Sequence, residues 1–191
     1  MKKILFILSV FALVSINAQS KKIVFGYLPS WEIIDTANLK IDYETITHLS
    51  PFSFEALPDG SIKYIDYWSS KWNPIFAKAR AKNIKIIFSL TNFNPDELKS
   101  ILNSSSVTSI MIDNIIKILK DNSLDGINID FEGLYDEYKG APMNNFMNQL
   151  FTKAKAADSK YEISIALPPI NLRNKWNFSY LSAYSDYIIV M

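Results

Sequence analysis

Apolar residues along this chain fall into two alternating rhythms. Short runs rich in β-branched residues occur at 23–28, 45–54, 84–90, 126–131, 162–167 and 187–191, and they predict six strands. Between them, residues 72–82, 107–119 and 144–157 carry apolar side chains three and four apart, the spacing of amphipathic helices lying outside a sheet. Asn94 before Pro95-Asp96-Glu97 predicts a further short helix, with asparagine as the cap and proline at its first position. Leu57-Pro58-Asp59-Gly60-Ser61 reads as a tight turn, and the segment through Trp68 as a small hairpin. Strands alternating with helices predict an α/β fold with a parallel sheet, either open and doubly wound or a barrel not completed. Gly26-Tyr27-Leu28-Pro29-Ser30 lacks the glycine spacing that cradles a dinucleotide, so no motif supports the cofactor-binding open sheet.

The N-terminus stands outside this rhythm. Met1-Lys2-Lys3, an apolar run from Ile4 to Ile16, and Asn17-Ala18-Gln19-Ser20 have the three-part pattern of a secretory signal peptide. The run is shorter than the roughly 20 residues of a spanning helix. Residues 1–19 are therefore expected to be removed, leaving 20–191 as a secreted or periplasmic domain with no membrane segment. At the other end, Asp186 to Met191 is a strand pattern with no turn, cap or polar tail. A (β/α)8 barrel typically needs about 250 residues, so 191 residues with six strands are expected to be a C-terminally truncated barrel.

Composition narrows the function. With 49% hydrophobic residues the chain can bury a core, and 20 Lys+Arg against 19 Asp+Glu leaves no basic surplus to track a nucleic acid. There is no cysteine, hence no disulfide, and no Cys/His cluster to suggest zinc.

The most informative stretch is Asp125-Gly126-Ile127-Asn128-Ile129-Asp130-Phe131-Glu132-Gly133. Strand alternation sends Ile127, Ile129 and Phe131 to one face and Asn128, Asp130 and Glu132 to the other, roughly 6–7 Å apart along the backbone. In a barrel the polar face lies in the lumen, with Glu132 at the C-terminal end where such enzymes place their catalytic groups. Adjacent carboxyl groups do not ionise freely, so Asp130 is expected to raise the proton affinity of Glu132. The spacing alone also fits hydrogen-bonded core polars or ligands of Ca2+ or Mg2+.

The same stretch resembles the signature of glycoside hydrolase family 18, the chitinase-like family, in which Asp-x-x-Asp-x-Asp-x-Glu lies on the fourth strand of a (β/α)8 barrel. Asp125, Asp130 and Glu132 match, and Asn128 stands where that family most often has aspartate. Gly26-Tyr27 and Trp31, Thr47-His48, Ser89, Ala166-Leu167-Pro168 and Met191 follow the family's order along successive strands. The resemblance implies a partial barrel, about six of eight βα units, from a retaining glycosidase of β-1,4-linked N-acetylglucosamine glycans. It implies no cofactor or metal, and a monomer when complete. Glu132 would be the acid, and Asp130 would orient the substrate's 2-acetamido group, with Asn128 and Asp125 completing the motif. Ser89-Leu90-Thr91-Asn92, in place of Ser-x-Gly-Gly, looks closer to the spore and cell-wall hydrolases, so both chitin and peptidoglycan fit.

Tyr27 and Trp31 after strand one, Phe54 at the end of strand two and Met191 are the candidate sugar contacts. Core packing is the alternative for the aromatics, and it is the expectation for Trp68, Trp72, Trp176 and His48. A non-catalytic sugar-binding protein and an inactive fragment are the competing readings of the whole chain.

Overall fold

A computed structural model of the chain describes residues 22–35 and 39–191; the expected signal peptide lies outside them. In chain order the strands and helices are β1 (Phe25–Pro29), β2 (His48–Phe52), β3 (Phe54–Ala56), β4 (Ile62–Lys63), α1 (Trp72–Ala81), β5 (Lys85–Asn92), α2 (Pro95–Asn103), α3 (Ser105–Asp121), β6 (Gly126–Phe131), α4 (Ala141–Ala157), β7 (Glu162–Leu167), α5 (Phe178–Ala183) and β8 (Tyr187–Val190). The main sheet runs β1-β2-β5-β6-β7-β8 with every neighbouring pair parallel. β3 and β4 form the hairpin expected from the turn at residues 57–61, and β3 also pairs with the end of β5.

The sheet is curled into part of a (β/α)8 barrel. Strands lie about 4.8 Å apart, so β1 and β8, five spacings apart along the sheet, would be separated by roughly 24 Å if it were flat. Instead the rings of Phe25 on β1 and Tyr187 on β8 are 6.1 Å apart. Alternation then divides the side chains. Phe88, Leu90, Ile127, Ile129, Ile163 and Ile165 belong to one continuous buried core with the apolar faces of α1, α3 and α4. Ser50, Ser89, Asn128, Asp130 and Ser164 are buried polar groups on the inner side of the curl, where Ser50 and Ser89 hydrogen-bond at 2.7 Å.

Local chemistry fixes the element ends. Asn94 caps α2 by accepting from the backbone N–H of Asp96 and Glu97, with Pro95 at its first position. Gly126 opens β6 against β7: a Cβ there would lie 2.0 Å from the Glu162 carbonyl oxygen, so only glycine permits this approach.

Two elements depart from the periodicity. Residues 45–54 do not form one strand, because the pairing with β1 stops at Phe52, and from Phe54 the chain pairs with the far end of β5 and with β4. α5 carries a single buried residue, Leu181, too few for an apolar period to register; its start is set by Asn177, whose side chain accepts from the N–H of Tyr180.

A polar knot closes the lower, N-terminal end of the lumen. His48 bridges Thr47 Oγ1 at 2.7 Å and Glu162 Oε2 at 2.8 Å, Lys85 pairs with Glu162 Oε1, and the Tyr187 hydroxyl donates to Glu162 at 3.4 Å. Four strands thus meet at one carboxylate. His48 is a buried and satisfied core residue, as its isolation in the sequence suggested.

Candidate active site

β6 carries the acids. Asn128 and Asp130 are buried on its inner face, and Glu132, the first residue beyond the strand, is exposed at the C-terminal mouth. The Glu132 N–H donates to the Asn92 carbonyl on β5 at 3.1 Å, which anchors the backbone beneath the side chain. Gly133 then turns the chain away with a φ of +75°, a conformation that a side chain would oppose.

Asp130 is 3% exposed, and its Oδ1 has no hydrogen-bond partner among the described residues. Burial, and after it the charge of Glu132, pushes its carboxyl up from 3.8 to about 6.

Asn128 is tied on both sides. Its Nδ2 donates to the Tyr27 hydroxyl at 3.0 Å, and its Oδ1 accepts from Ser164 Oγ on β7 at 3.0 Å. Tyr27 reaches this point from β1 across the lumen, and its own acidity is suppressed first by burial and then by the nearby Asp130 charge.

Asp125 does not join the acids. It precedes β6 at the opposite end, where its Oδ2 accepts from the Ile86 N–H at 2.8 Å and its backbone pairs with Ile86 and Glu162. Seven residues of extended chain, about 23 Å, separate it from Glu132. Its role is to lock β6 between β5 and β7, which corrects its placement among the catalytic groups.

Phe54 requires a second correction. It is 0% exposed, enclosed by the rings of Tyr64, Trp68 and Phe88, so no sugar can reach it. The interruption at Ser53 puts Phe54 in the core, whereas Phe52 packs edge-on against both Tyr27 and Trp31. Trp31 is 60% exposed and Tyr27 37%. Trp68 and Trp72 are packing residues, donating to Asn122 Oδ1 and the Asp66 carbonyl respectively.

One cavity borders Glu132, and another lies beyond β5. The first, of about 210 Å3, is lined by Glu132 itself with Lys139, Ala166, Pro168, Trp176 and Met191. Met191 therefore lies beside the acid, and its N–H is held by the Leu167 carbonyl. Trp176 was expected only to pack, and Lys139 was not singled out; both come from loops that follow strands at the mouth. The larger cavity, about 770 Å3, lies on the far side of β5 and does not contain the acids; Ser53, Glu55, Tyr64, Asn92, Phe93 and Glu97 are among its walls. Thr91 and Asn92, standing where glycines were the alternative, bind to residues 53–56 and to α2: Thr91 Oγ1 to Ser53 and Phe54, Asn92 Nδ2 to Ala56 and to Glu97 on α2.

Among the described residues, no three His, Cys, Asp or Glu side chains converge to hold a metal ion, and no helix is long and apolar enough to cross a membrane.

Comparison with solved structures identifies this half-barrel. A chitinase from Bacteroides thetaiotaomicron superposes with a TM-score of 0.77 at 25% identity, covering 90% of this chain and 54% of the other. A class V chitinase from Pseudomonas fluorescens Pf-5 gives 0.78 at 20%, covering 88% and 53%. The spore cortex-lytic enzyme SleL of Bacillus cereus gives 0.70 at 22%, covering 87% and 40%. The chain thus spans about half the length of the proteins it resembles. No curated protein matches it in sequence. The family model of the glycosyl hydrolases family 18 matches residues 23–191. With that match over nearly all of the described chain, and a half-barrel that exposes Glu132 at its mouth above the buried Asp130, the protein belongs to glycosyl hydrolases family 18.

Proposed function

We propose that this chain carries the catalytic acids of a retaining glycosidase acting on β-1,4-linked N-acetylglucosamine glycans, chitin or peptidoglycan. The observation that carries the reading is an exposed Glu132 at the strand end, lining a cavity of about 210 Å3, with the buried Asp130 two residues below it on the same face.

Glu132 gives its proton to the glycosidic oxygen as the bond from C1 breaks, and the carbonyl oxygen of the substrate's own 2-acetamido group bonds to C1. Positive charge develops on the acetamide, and Asp130 orients that group and stabilises the charge. Glu132, now ionised, takes a proton from a water whose oxygen bonds to C1 as the bond from C1 to the acetamide oxygen breaks, which restores the acid. The mechanism needs a 2-acetamido group at the cleaved bond, which both glycans possess. Trp31 and Tyr27 form one rim for the sugar, Trp176 and Met191 another. Export through a leader at residues 1–19 fits such polymers, which lie outside the cytoplasm.

Glu132→Gln is the test, with chitooligosaccharides and peptidoglycan as substrates. Turnover should fall at least about 10²-fold, the scale of general acid catalysis, while sugar affinity is retained. A chain that binds sugar, never hydrolyses it and is indifferent to Glu132→Gln would be a lectin.

A further inference from the structure

We propose that Lys139 and Arg173, gathered on Asp136 at the mouth, bind a carboxylate carried by a sugar beside the cleaved bond; the inference rests on the glycosidase reading above and selects peptidoglycan from its two substrates. Chitin is uncharged along its length, whereas peptidoglycan bears carboxylates, on the lactyl ether of its muramic acid units or on the peptides attached there. Lys139 lines the cavity that contains Glu132, Trp176 and Met191. Its Nζ donates to Asp136 Oδ1 at 2.9 Å, and Arg173 Nη1 donates to Asp136 Oδ2 at 3.4 Å. One carboxylate thus brings together a lysine from the loop after β6 and an arginine from the loop after β7. The Lys139 hydrogen bond first, and then the charges of Lys139, Lys175 and Arg173, hold Asp136 below the usual carboxylate range.

Three cations act on that one anion. The other acids of the loop after β6 are Glu132, the proton donor, and Glu137, which acts on Tyr135, whose hydroxyl donates to Asp96 on α2. Among the described residues Lys139 and Arg173 each make a single side-chain hydrogen bond, to Asp136, so most of their donors stay available to a ligand. The Arg173 side chain is 80% exposed, and that of Lys139, at 26%, is set into the cavity wall. The loop that carries Arg173 is closed on itself. Asn171 accepts from the Trp176 N–H at 3.1 Å and donates to the Trp176 carbonyl at 2.8 Å, and between them Arg173 and Asn174 take left-handed φ values of +60° and +51°. One turn therefore presents both an aromatic ring for a sugar and a guanidinium for its substituent. A carboxylate arriving beside Glu132 and Asp136 would meet like charge; the lysine and arginine donors are what make the position favourable for it.

The experiment is binding calorimetry on the full chain carrying Glu132→Gln, so that no probe is cleaved. The probes are chitotetraose, peptide-free peptidoglycan strands with free lactyl carboxylates, the same strands with those carboxylates amidated, and strands that keep their peptides. Peptide-free strands should bind more tightly than amidated ones. Arg173→Asn, which suits the left-handed backbone, should weaken that binding about fivefold and leave chitotetraose unchanged. Lys139→Gln should do the same, and raising salt from about 50 mM to about 0.5 M should shrink the preference. A preference shown only by peptide-bearing strands assigns the carboxylate to the peptide and supports the site equally. Equal affinity for charged and amidated strands, no binding of either charged strand, or an Arg173→Asn loss that falls equally on chitotetraose overturns the proposal. Should Lys139→Gln fail to fold, Arg173→Asn, at a side chain open to water, decides. Turnover by the unmodified chain is read separately. Charged strands bound selectively but never hydrolysed remove the glycosidase reading and keep the carboxylate site, whereas hydrolysis without any preference for charge keeps the enzyme and removes the site.

Discussion

Replacing Glu162 by glutamine tests whether the knot at the lumen floor holds the curl of the sheet. Burial by itself would raise this carboxyl, but the hydrogen bonds and charges of His48 and Lys85 outweigh it and draw the group from 4.5 down to about 2. At about 1.4 kcal/mol per pH unit that displacement corresponds to an upper bound of about 3 kcal/mol. The Glu162 side chain is 18% exposed and that of Lys85 46%, so water screens the pair. About 1–2 kcal/mol at pH 7 is the expected loss. The sign follows from linkage: a carboxyl whose folded pKa lies below its unfolded one stabilises the fold fully above about pH 4.5, and that contribution drains away as pH falls towards about 2. Wild type and Glu162→Gln should therefore differ most at pH 7, by less at pH 3.5, and hardly at all near pH 2. Urea denaturation at these pH values, followed by circular dichroism, gives the midpoints, with the slope checked for constancy. Equal midpoints at pH 7 would refute the reasoning, as would a difference that persists unchanged to pH 2, which would point to packing rather than charge.

Asp130 supplies the opposite sign. Its folded pKa is raised, so its contribution is favourable below about pH 4 and turns into a cost as pH rises through about 6. Asp130→Asn should gain about 1–2 kcal/mol at pH 8 and nothing at pH 4 in thermal melts, while losing most turnover; a gain that ignores pH would remove desolvation as the cause. Phe54→Ala should cost about 3–5 kcal/mol as a core truncation. Trp31→Ala, at an exposed rim, should stay within about 0.5 kcal/mol and instead raise KM for the longer oligosaccharides. Reversal of those two outcomes would invert the assignment of core and rim.

β6 and β7 were legible from sequence to the residue, because each is a short β-branched run that follows a helical pattern. The cap at Asn94 and the hairpin at residues 57–61 were legible for the same kind of reason, since their bonds are satisfied within a few residues. Alternation along β6 likewise placed Asn128, Asp130 and Glu132 on one face and the isoleucines on the other. What alternation cannot carry is the identity of the group met across the lumen. That Asp125 binds the Ile86 N–H on β5, and that Asn128 meets Tyr27 and Ser164, are matters of strand pairing and of the curl of the sheet. Phe54 shows the limit most plainly, since a single interrupted residue, Ser53, cancels the parity on which its placement rested.

The sequence by itself determined the order of strands and helices, the inner face of β6 and the acid at its end, because periods of two and of three to four residues are properties of local backbone geometry. The tertiary structure alone decided that β1 and β8 approach one another, that four strands share Glu162, and that Tyr27 reaches Asn128 from the far side of the lumen. Those contacts join residues up to 162 positions apart, from Phe25 to Tyr187, and they exist only because the curl of the sheet brings the side chains of non-neighbouring strands within bonding distance.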